Sequence, residues 1–187
     1  MHLLWDFDGT LINTYPMYTK CCQQVIGKEA TEEEIYTQLK KSFSHAIAHF
    51  HMTKDQELEV RRLVNQIQPE EVKPFDGLER VLQAADVNVI MTHKDYKNVK
   101  RILDYHGLTS YFDDMVTSDD GFPRKPDSAS YAYLHQKHRI DMAIGDRELD
   151  LLPAKELGMK TCSFQNTHAE ADFYLSYYHD FFYTIGK

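Results

Sequence analysis

Long hydrophobic runs are missing from this 187-residue sequence. No apolar stretch approaches the roughly 18 residues that a membrane-spanning helix needs. The N-terminal residues also lack the basic-then-apolar order of a secretory signal. We therefore expect neither a membrane span nor secretion, and we expect a cytoplasmic protein.

An excess of positive charge is missing as well. Lysine and arginine total 21 against 29 aspartate and glutamate residues, which gives a net charge of -8. A protein that binds nucleic acid through its phosphates needs a basic surface, so we do not expect nucleic acid as a partner. A small anionic substrate stays compatible with this charge, because the field of a local lysine and metal cluster is short-ranged at physiological salt.

Cysteine is scarce, with only Cys21, Cys22 and Cys162 present. An odd number of cysteines, two of them adjacent, is not a disulfide framework. Free thiols, buried or partly exposed, fit a reducing cytoplasm. Internal repeats and low-complexity tracts are also absent, and the length suits one compact domain with an insertion.

The first apolar run ends in two carboxylates. Residues 3–5 predict a buried strand, and Asp6 and Asp8 project to the same side because side chains alternate along an extended chain. Like charges this close are stable only with a shared proton or a metal ion. Gly9 then permits a sharp turn that presents backbone amides to an anion such as phosphate.

Residues 14–73 show helical signals and no strand signal. Pro16 suits the first turn of a helix that ends near Gly27. Capping-box residues begin a second predicted helix at 31–50 and a third at 53–68. The second helix has a single apolar stripe formed by Ile35, Leu39, Phe43, Ala46, Ile47 and Phe50.

From Pro74 onwards, predicted strands and helices alternate. Strands are expected at 87–91, 114–117, 140–144, 160–164 and 171–175, with helices at 78–85, 96–106, 126–137, 149–157 and an aromatic helix after residue 176. Short connections imply right-handed crossovers and a doubly wound, mainly parallel α/β sheet. We expect a core of residues 1–13 and 74–187 and an inserted all-helical domain at 14–73.

Four predicted strand ends bear reactive residues, in a fixed order along the chain. They are Asp-Phe-Asp-Gly-Thr-Leu at residues 6–11, Thr92 closing a hydrophobic strand, the Lys125-Pro126 pair, and Gly145-Asp146 with Asp150 four residues on. This order resembles the four motifs of the haloacid dehalogenase-like superfamily, and the resemblance extends over the whole chain. The helical insertion resembles the cap of phosphoglycolate phosphatase-like members in its position and helical character.

The resemblance implies a magnesium-dependent phosphatase that hydrolyses a small phosphorylated metabolite, with the Rossmann-like core holding the catalytic residues. Asp6 would be the nucleophile that forms an aspartyl-phosphate, and Asp8 the general acid and then the general base. Lys125 would neutralise the nucleophile and the phosphate. The Thr92 hydroxyl and the amides of Gly9 and His93 would bind phosphate oxygens.

The same resemblance implies a set of Mg²⁺ ligands. Asp6 and Asp146 would contribute side chains and Asp8 its backbone carbonyl, while Asp150 would hold the metal or a metal-bound water. A structural interpretation of Asp150 stays open, in which it interacts with the dipole of a helix start. Taken without the other motifs, Asp6 with Asp8 could form a structural metal or turn site, and Thr92 and Lys125 taken singly are typical of structural positions.

Other functions stay open at this point. A phosphomutase or phosphotransferase would use the same core chemistry, and a catalytically weak relative would only bind ligand. A receiver-type signalling domain would place its phosphoacceptor on a later strand. Relatives often have an acid at the position of Asn13, so the resemblance does not identify the substrate of this chain. The candidate substrate contacts in the helical domain are Tyr15, Tyr18, Lys40, Lys41 and His45. The oligomeric state is not indicated.

Two pairs of histidines have a spacing that deserves comparison with metal sites. His45 and His49 lie four residues apart on a predicted helix, a spacing that can bind zinc. They lie off the apolar stripe and no nearby acid completes a ligand set, which favours solvated positions. The same interpretation applies to His135 and His138.

Overall fold

The computed structural model describes residues 1–186, which form two compact units. One unit comprises residues 1–12 and 74–186, and the other comprises residues 13–73. The structure groups Asn13 with the second unit, whereas the sequence predicted it at the end of the core. Residue 187, the last residue of the predicted core range, lies outside the described residues.

Residues 13–73 form four α-helices, each begun by a recognisable residue type. Thr31 and Thr53 both form the predicted capping boxes; the amide of Glu34 donates to Thr31 Oγ1 at 3.2 Å and that of Gln56 to Thr53 Oγ1 at 3.3 Å. Apolar side chains close the interior of this unit, including Ile35, Leu39, Ala46 and Val60. The helices are α1 (Tyr15–Ile26), α2 (Glu32–Lys41), α3 (Phe43–His49) and α4 (Lys54–Gln66).

The prediction of a single helix at 31–50 is wrong, because α2 ends and α3 begins at Ser42. Ser42 is extended (φ −174°, ψ 160°) and its Oγ accepts a hydrogen bond from the amide of His45 at 2.9 Å. A serine hydroxyl that caps a new helix competes with continuation of the old one. The apolar stripe continues across this break, which is why periodicity alone did not reveal it.

The other unit is built on a parallel sheet, as the sequence predicted. Within residues 1–186 its six strands are β1 (His2–Trp5), β4 (Val87–Met91), β5 (Asp114–Val116), β6 (Met142–Gly145), β7 (Lys160–Phe164) and β8 (Phe173–Leu175). Their order in the sheet is β5-β4-β1-β6-β7-β8. Two short strands, β2 (Ile12–Asn13) and β3 (Lys73–Pro74), form a separate two-stranded sheet that no sequence pattern predicted.

Helices flank the strands of the main sheet. They are α5 (Leu78–Ala84), α6 (Tyr96–Tyr105), α7 (Ala129–His138), α8 (Glu148–Glu156) and α9 (Phe181–Ile185). Of these, α6, α7 and α8 connect successive strands, α5 precedes β4 and α9 follows β8. Strand β1 is central because it pairs in parallel with both β4 and β6, with Leu4 opposite Val89 and Ala143. Its apolar residues Leu3, Leu4 and Trp5 are fully buried, as expected of a strand covered on both faces.

Aromatic side chains from the last part of the chain close one side of this core. The ring of Tyr178 stacks on Phe164 at 4.3 Å between centroids and meets Trp5 edge-on at 5.8 Å. The Tyr178 hydroxyl donates to the carbonyl of Thr10 at 2.9 Å. The aromatic terminal segment is therefore part of the core, and it supports the loop after β1.

Among the helices described for residues 1–186, none combines the length and the apolar composition that crossing a membrane requires.

Removing the Thr53 cap tests the assignment of α4. We expect Thr53→Ala to lower the free energy of unfolding by about 1 kcal/mol, because the amide of Gln56 loses its side-chain acceptor. Urea denaturation followed by circular dichroism measures this loss. Thr37→Ala, in the exposed middle of α2, is the matched control and should change stability much less; equal losses for the two variants would contradict the capping role.

Candidate active site

Three neighbouring strands bring predicted site residues to one edge of the sheet. Asp6 directly follows β1, Thr92 follows β4 and Asp146 follows β6, and the carboxyl ends of parallel strands lie at the same edge. The three residues are 2%, 2% and 0% exposed. Buried polar groups require hydrogen-bond or ionic partners, so the neighbours of these residues define the site.

Asp6, Asp146 and Asp150 form a carboxylate cluster. One oxygen of each lies within 4.8 Å of the others, and within residues 1–186 this is the one set of His, Cys, Asp or Glu side chains grouped closely enough to hold an ion. All three are buried. Carboxylate oxygens are the ligands that Mg²⁺ prefers, so the donor set fits a magnesium site, and His45 and His49 belong to no such set.

Gly145 permits the close approach of Asp150 to the end of β6. A Cβ at position 145 would lie 2.4 Å from the Cβ of Asp150, a separation that side chains do not adopt. Asp150 lies in the first turn of α8, where its Oδ2 accepts the amide N–H of Arg147 at 3.1 Å. Asp150 therefore both caps the helix and belongs to the carboxylate cluster, so the two interpretations considered for it are compatible.

Lys125 lies between two members of the cluster. Its Nζ is 2.6 Å from Asp6 Oδ1 and 2.8 Å from Asp150 Oδ1, and its side chain is 1% exposed. Burial alone would lower the pKa of Lys125, but the two carboxylates hold that pKa above its usual range. The structure thus keeps a charged ammonium against the predicted nucleophile.

Arg147 is a second cation of the site, and the sequence reasoning missed it. Its Nη2 lies 3.1 Å from Asp150 Oδ1 and 3.7 Å from Asp6 Oδ1, and its Nε lies 3.8 Å from Asp146 Oδ1. The available signal was its position, because it directly follows Asp146 and begins the turn into α8.

The cluster has one negative charge more than its two cations balance. Burial, and then repulsion by Asp150, raise the pKa of Asp6 to about 7, against the opposing influence of Lys125 and Arg147. Burial alone would raise the pKa of Asp150 too, but Arg147 and Lys125 hold it below its usual range. Asp6 is therefore the carboxylate where added positive charge, from a proton or a metal ion, is most favourable.

Asp8 lies outside the carboxylate cluster. Its side chain is 22% exposed and its Oδ1 is 3.5 Å from Lys94 Nζ. This partial exposure suits a group that exchanges protons with substrate and water. The predicted metal contact of Asp8 uses its backbone carbonyl, and it stays a prediction.

Gly9 forms a sharp turn in the loop after β1. Its φ of 84° is the left-handed value that favours glycine, and its amide donates to the carbonyl of Ile12 at 2.8 Å. The predicted contact between the Gly9 amide and phosphate stays a prediction. The hydroxyl of Thr10, which the sequence did not single out, lies 3.5 Å from both Asp6 Oδ2 and Asp146 Oδ1.

His93 has a side-chain role that sequence reasoning did not assign. The amide N–H of Lys125 donates to His93 Nε2 at 3.0 Å, so this nitrogen must be unprotonated. Burial, and then the charges of Lys125 and Arg124, lower the pKa of His93 to about 4. A neutral imidazole therefore positions the backbone of Lys125. Beside it, Thr92 Oγ1 accepts the amide N–H of Lys94 at 3.2 Å.

The residues predicted to contact substrate from the helical unit include an aromatic pair. The rings of Tyr15 and Tyr18 meet edge-on at 6.3 Å, and Lys40 Nζ lies 4.7 Å from the centroid of Tyr15. Lys41 and His45 both contact Gln38 Oε1, at 3.2 and 3.0 Å. These contacts are internal to residues 13–73, and a role in substrate binding stays a prediction.

Comparison with known proteins identifies a family whose model matches most of this chain. The family model for haloacid dehalogenase-like hydrolases matches residues 3–164. This range contains every member of the carboxylate cluster together with Lys125 and Arg147.

Individual relatives are distant. A phosphoglycolate phosphatase of Vibrio parahaemolyticus is 34% identical over 88 residues, so the match spans 44% of this chain and 38% of that enzyme's length. A Clostridium perfringens protein with the provisional name pyrophosphatase PpaX is 24% identical over 88% of this chain and 84% of its own. A Lactobacillus plantarum structure provisionally identified as phosphoglycolate phosphatase has a TM-score of 0.83 at 15% identity, covering 97% of both chains, which confirms the fold.

The His93 contact predicts a pH-dependent component of stability. Because the pKa of His93 falls from 6.5 to about 4 on folding, the unfolded chain binds more protons between these values, and stability is lost as the pH falls through them. This component is at most about 3 kcal/mol. His93→Asn keeps an acceptor that does not titrate, so we expect its free energy of unfolding to fall less than that of the wild type between pH 7 and pH 4.5 in urea titrations.

The exposed His168 provides the control for this measurement. His168→Asn should follow the wild-type pH dependence. A His93→Asn profile parallel to that of the wild type would show that His93 does not accept the Lys125 amide.

Proposed function

The chain belongs to the haloacid dehalogenase-like hydrolase family, and we propose that it is a magnesium-dependent phosphatase acting on a small phosphate monoester. The observation that most supports this is the proximity of Lys125 Nζ to Asp6 Oδ1, at 2.6 Å, in a cluster with two further buried carboxylates. A buried carboxylate next to a fixed ammonium and a metal-ligand set suits nucleophilic attack on phosphorus.

Asp6 begins the reaction. One of its carboxylate oxygens attacks the phosphorus of the substrate, a bond to the Asp6 oxygen forms, and the bond from phosphorus to the ester oxygen breaks. The product is an aspartyl-phosphate on Asp6. Covalent catalysis of this kind divides one difficult displacement into two easier ones.

Asp8 moves the protons. In the first step it donates a proton to the departing alkoxide, and in the second it accepts a proton from the water that attacks the aspartyl-phosphate. This second attack releases inorganic phosphate and restores Asp6. Its position near Lys94 and its partial exposure support an exchange with both substrate and water.

Fixed positive charge and hydrogen-bond donors hold the phosphate. Lys125 neutralises charge on Asp6 and on the transferred group, and the Thr92 hydroxyl and the His93 amide donate to phosphate oxygens. His93 contributes indirectly, since its imidazole holds the Lys125 backbone at 3.0 Å. Donors placed in advance stabilise charge as it develops in the transition state.

Asp6, Asp146 and Asp150, with the backbone carbonyl of Asp8, would hold the metal ion. When bound, Mg²⁺ would neutralise the excess negative charge of the cluster and favour the ionised form of Asp6. The buried oxygen donors support this choice of metal over softer ones, which prefer nitrogen and sulfur ligands.

We further propose that residues 14–73 act as a cap that provides substrate contacts. Phosphoglycolate is the first substrate to test, because the V. parahaemolyticus relative is named as a phosphoglycolate phosphatase. Pyrophosphate is the second, since the C. perfringens relative with that provisional activity matches over 88% of this chain. The three unpaired, buried cysteines support a reducing cytoplasmic location.

Neutralising Asp6 tests the nucleophile. We expect Asp6→Asn to lower hydrolysis of p-nitrophenyl phosphate with Mg²⁺ by roughly 10³-fold or more, because an amide cannot replace the attacking carboxylate. Released phosphate is measured against the wild type. Asp104→Asn, which neutralises an exposed carboxylate paired with Lys100, should retain wild-type turnover. Equal turnover by wild type and Asp6→Asn would contradict the proposal.

Neutralising Asp8 separates the two steps. With a good leaving group, departure needs little proton donation, so Asp8→Asn should still form the aspartyl-phosphate but hydrolyse it slowly. Intact mass and sensitivity to hydroxylamine detect the trapped intermediate. If no phosphorylated protein accumulates under turnover conditions, Asp8 is not the base that activates water.

A further inference from the structure

Arg147 occupies both oxygens of Asp150, which is one of the carboxylates proposed to hold the metal. Its amide N–H and Nε each lie 3.1 Å from Asp150 Oδ2, and its Nη2 lies 3.1 Å from Asp150 Oδ1. The guanidinium also approaches Asp6 Oδ1 at 3.7 Å and Asp146 Oδ1 at 3.8 Å. The same side chain thus contacts every member of the only candidate metal group found within residues 1–186.

We propose that the Arg147 guanidinium is a counter-cation of the three clustered carboxylates, and that a divalent cation must compete with it for them. This inference rests on the proposed function, since it assumes that Asp6, Asp146 and Asp150 bind metal. By this proposal Arg147 compensates the charge of the carboxylates and lowers their apparent affinity for a metal ion.

The exposed fractions of the two side chains indicate that Arg147, and not Lys125, is the cation that a metal ion displaces. Lys125 is 1% exposed, whereas Arg147 is 18% exposed. A guanidinium on a long side chain at the edge of the cluster can move toward solvent while its stem stays packed. The buried ammonium has no such path, so Lys125 stays beside Asp6 when a metal ion enters.

The charge of the cluster supports competition. With Lys125 and Arg147 in place, three buried carboxylates are one positive charge short of balance. A divalent ion that displaced Arg147 would leave Lys125 and the ion facing the same three carboxylates, which balances them. The exchange therefore replaces an incompletely neutralised cluster with a neutral one.

A purely supportive role for Arg147 has the opposite consequence. If Arg147 only oriented Asp150 as a ligand, its removal would weaken metal binding, since ligand orientation by neighbouring groups contributes to affinity. The sign of the change in affinity therefore decides between the two roles.

Calorimetric titration of MgCl₂ into the full-length protein tests the proposal. We expect Arg147→Gln to lower the Kd for Mg²⁺ by roughly tenfold, because the competing cation is gone. Arg147→Lys keeps the charge but cannot span Asp150 with a planar fork, so its Kd should be about threefold lower than that of the wild type. The Mg²⁺-induced rise in Tm should be smallest for the wild type, larger for Arg147→Lys and largest for Arg147→Gln.

Arg62→Gln is the matched control, because it removes the same charge from the exposed pair with Glu59; its Kd should equal that of the wild type. An unchanged or higher Kd in Arg147→Gln overturns the proposal. If that variant does not fold, an Arg147→Lys Kd equal to the wild-type value overturns it. A wild type that hydrolyses p-nitrophenyl phosphate with Mg²⁺, paired with an Arg147→Gln that binds no tighter, refutes only this inference. A wild type that neither binds Mg²⁺ nor hydrolyses refutes the proposed function as well.

Discussion

The compensation of buried negative charge is the constraint on which the α/β unit depends. Three carboxylates at one edge of the sheet have lost water, and an isolated buried carboxylate is too costly to stay ionised. Lys125 Nζ, at 2.6 Å from Asp6 and 2.8 Å from Asp150, is the nearest compensating charge, and Arg147 is the second. The same requirement explains why residues so far apart in sequence must meet at one edge of the sheet.

Residues outside the carboxylate cluster maintain its geometry. Gly145 leaves the space that Asp150 fills, and the neutral imidazole of His93 holds the backbone of Lys125. The aromatic terminal segment supports the loop after β1, because the Tyr178 hydroxyl donates to the Thr10 carbonyl. Core packing and site geometry are therefore coupled through single hydrogen bonds to backbone atoms, which side-chain composition does not reveal.

Sequence reasoning predicted the features that depend on local pattern. The apolar run before Asp6, the alternation after Pro74 and the threonine caps all have short-range signatures, and the corresponding strands and helices are present. The failures have a different origin. Ser42 breaks a helix within an unbroken apolar stripe, and the contact of Arg147 with three carboxylates depends on how α8 meets β6. Long-range side-chain placement of this kind is a property of the folded sheet, not of any window along the chain.

The pairing of β1 has a consequence for how the chain folds. Leu4 lies opposite Val89 on one side and Ala143 on the other. The central strand therefore pairs only after strands much later in the sequence have been synthesised. Such non-local pairing is slow, and unpaired apolar strands associate with other chains. The helices of residues 13–73, by contrast, form their backbone hydrogen bonds locally. During translation, the apolar strand β1 therefore leaves the ribosome unpaired, followed by a helical segment that can order early. Chaperones would act on the nascent chain at this stage.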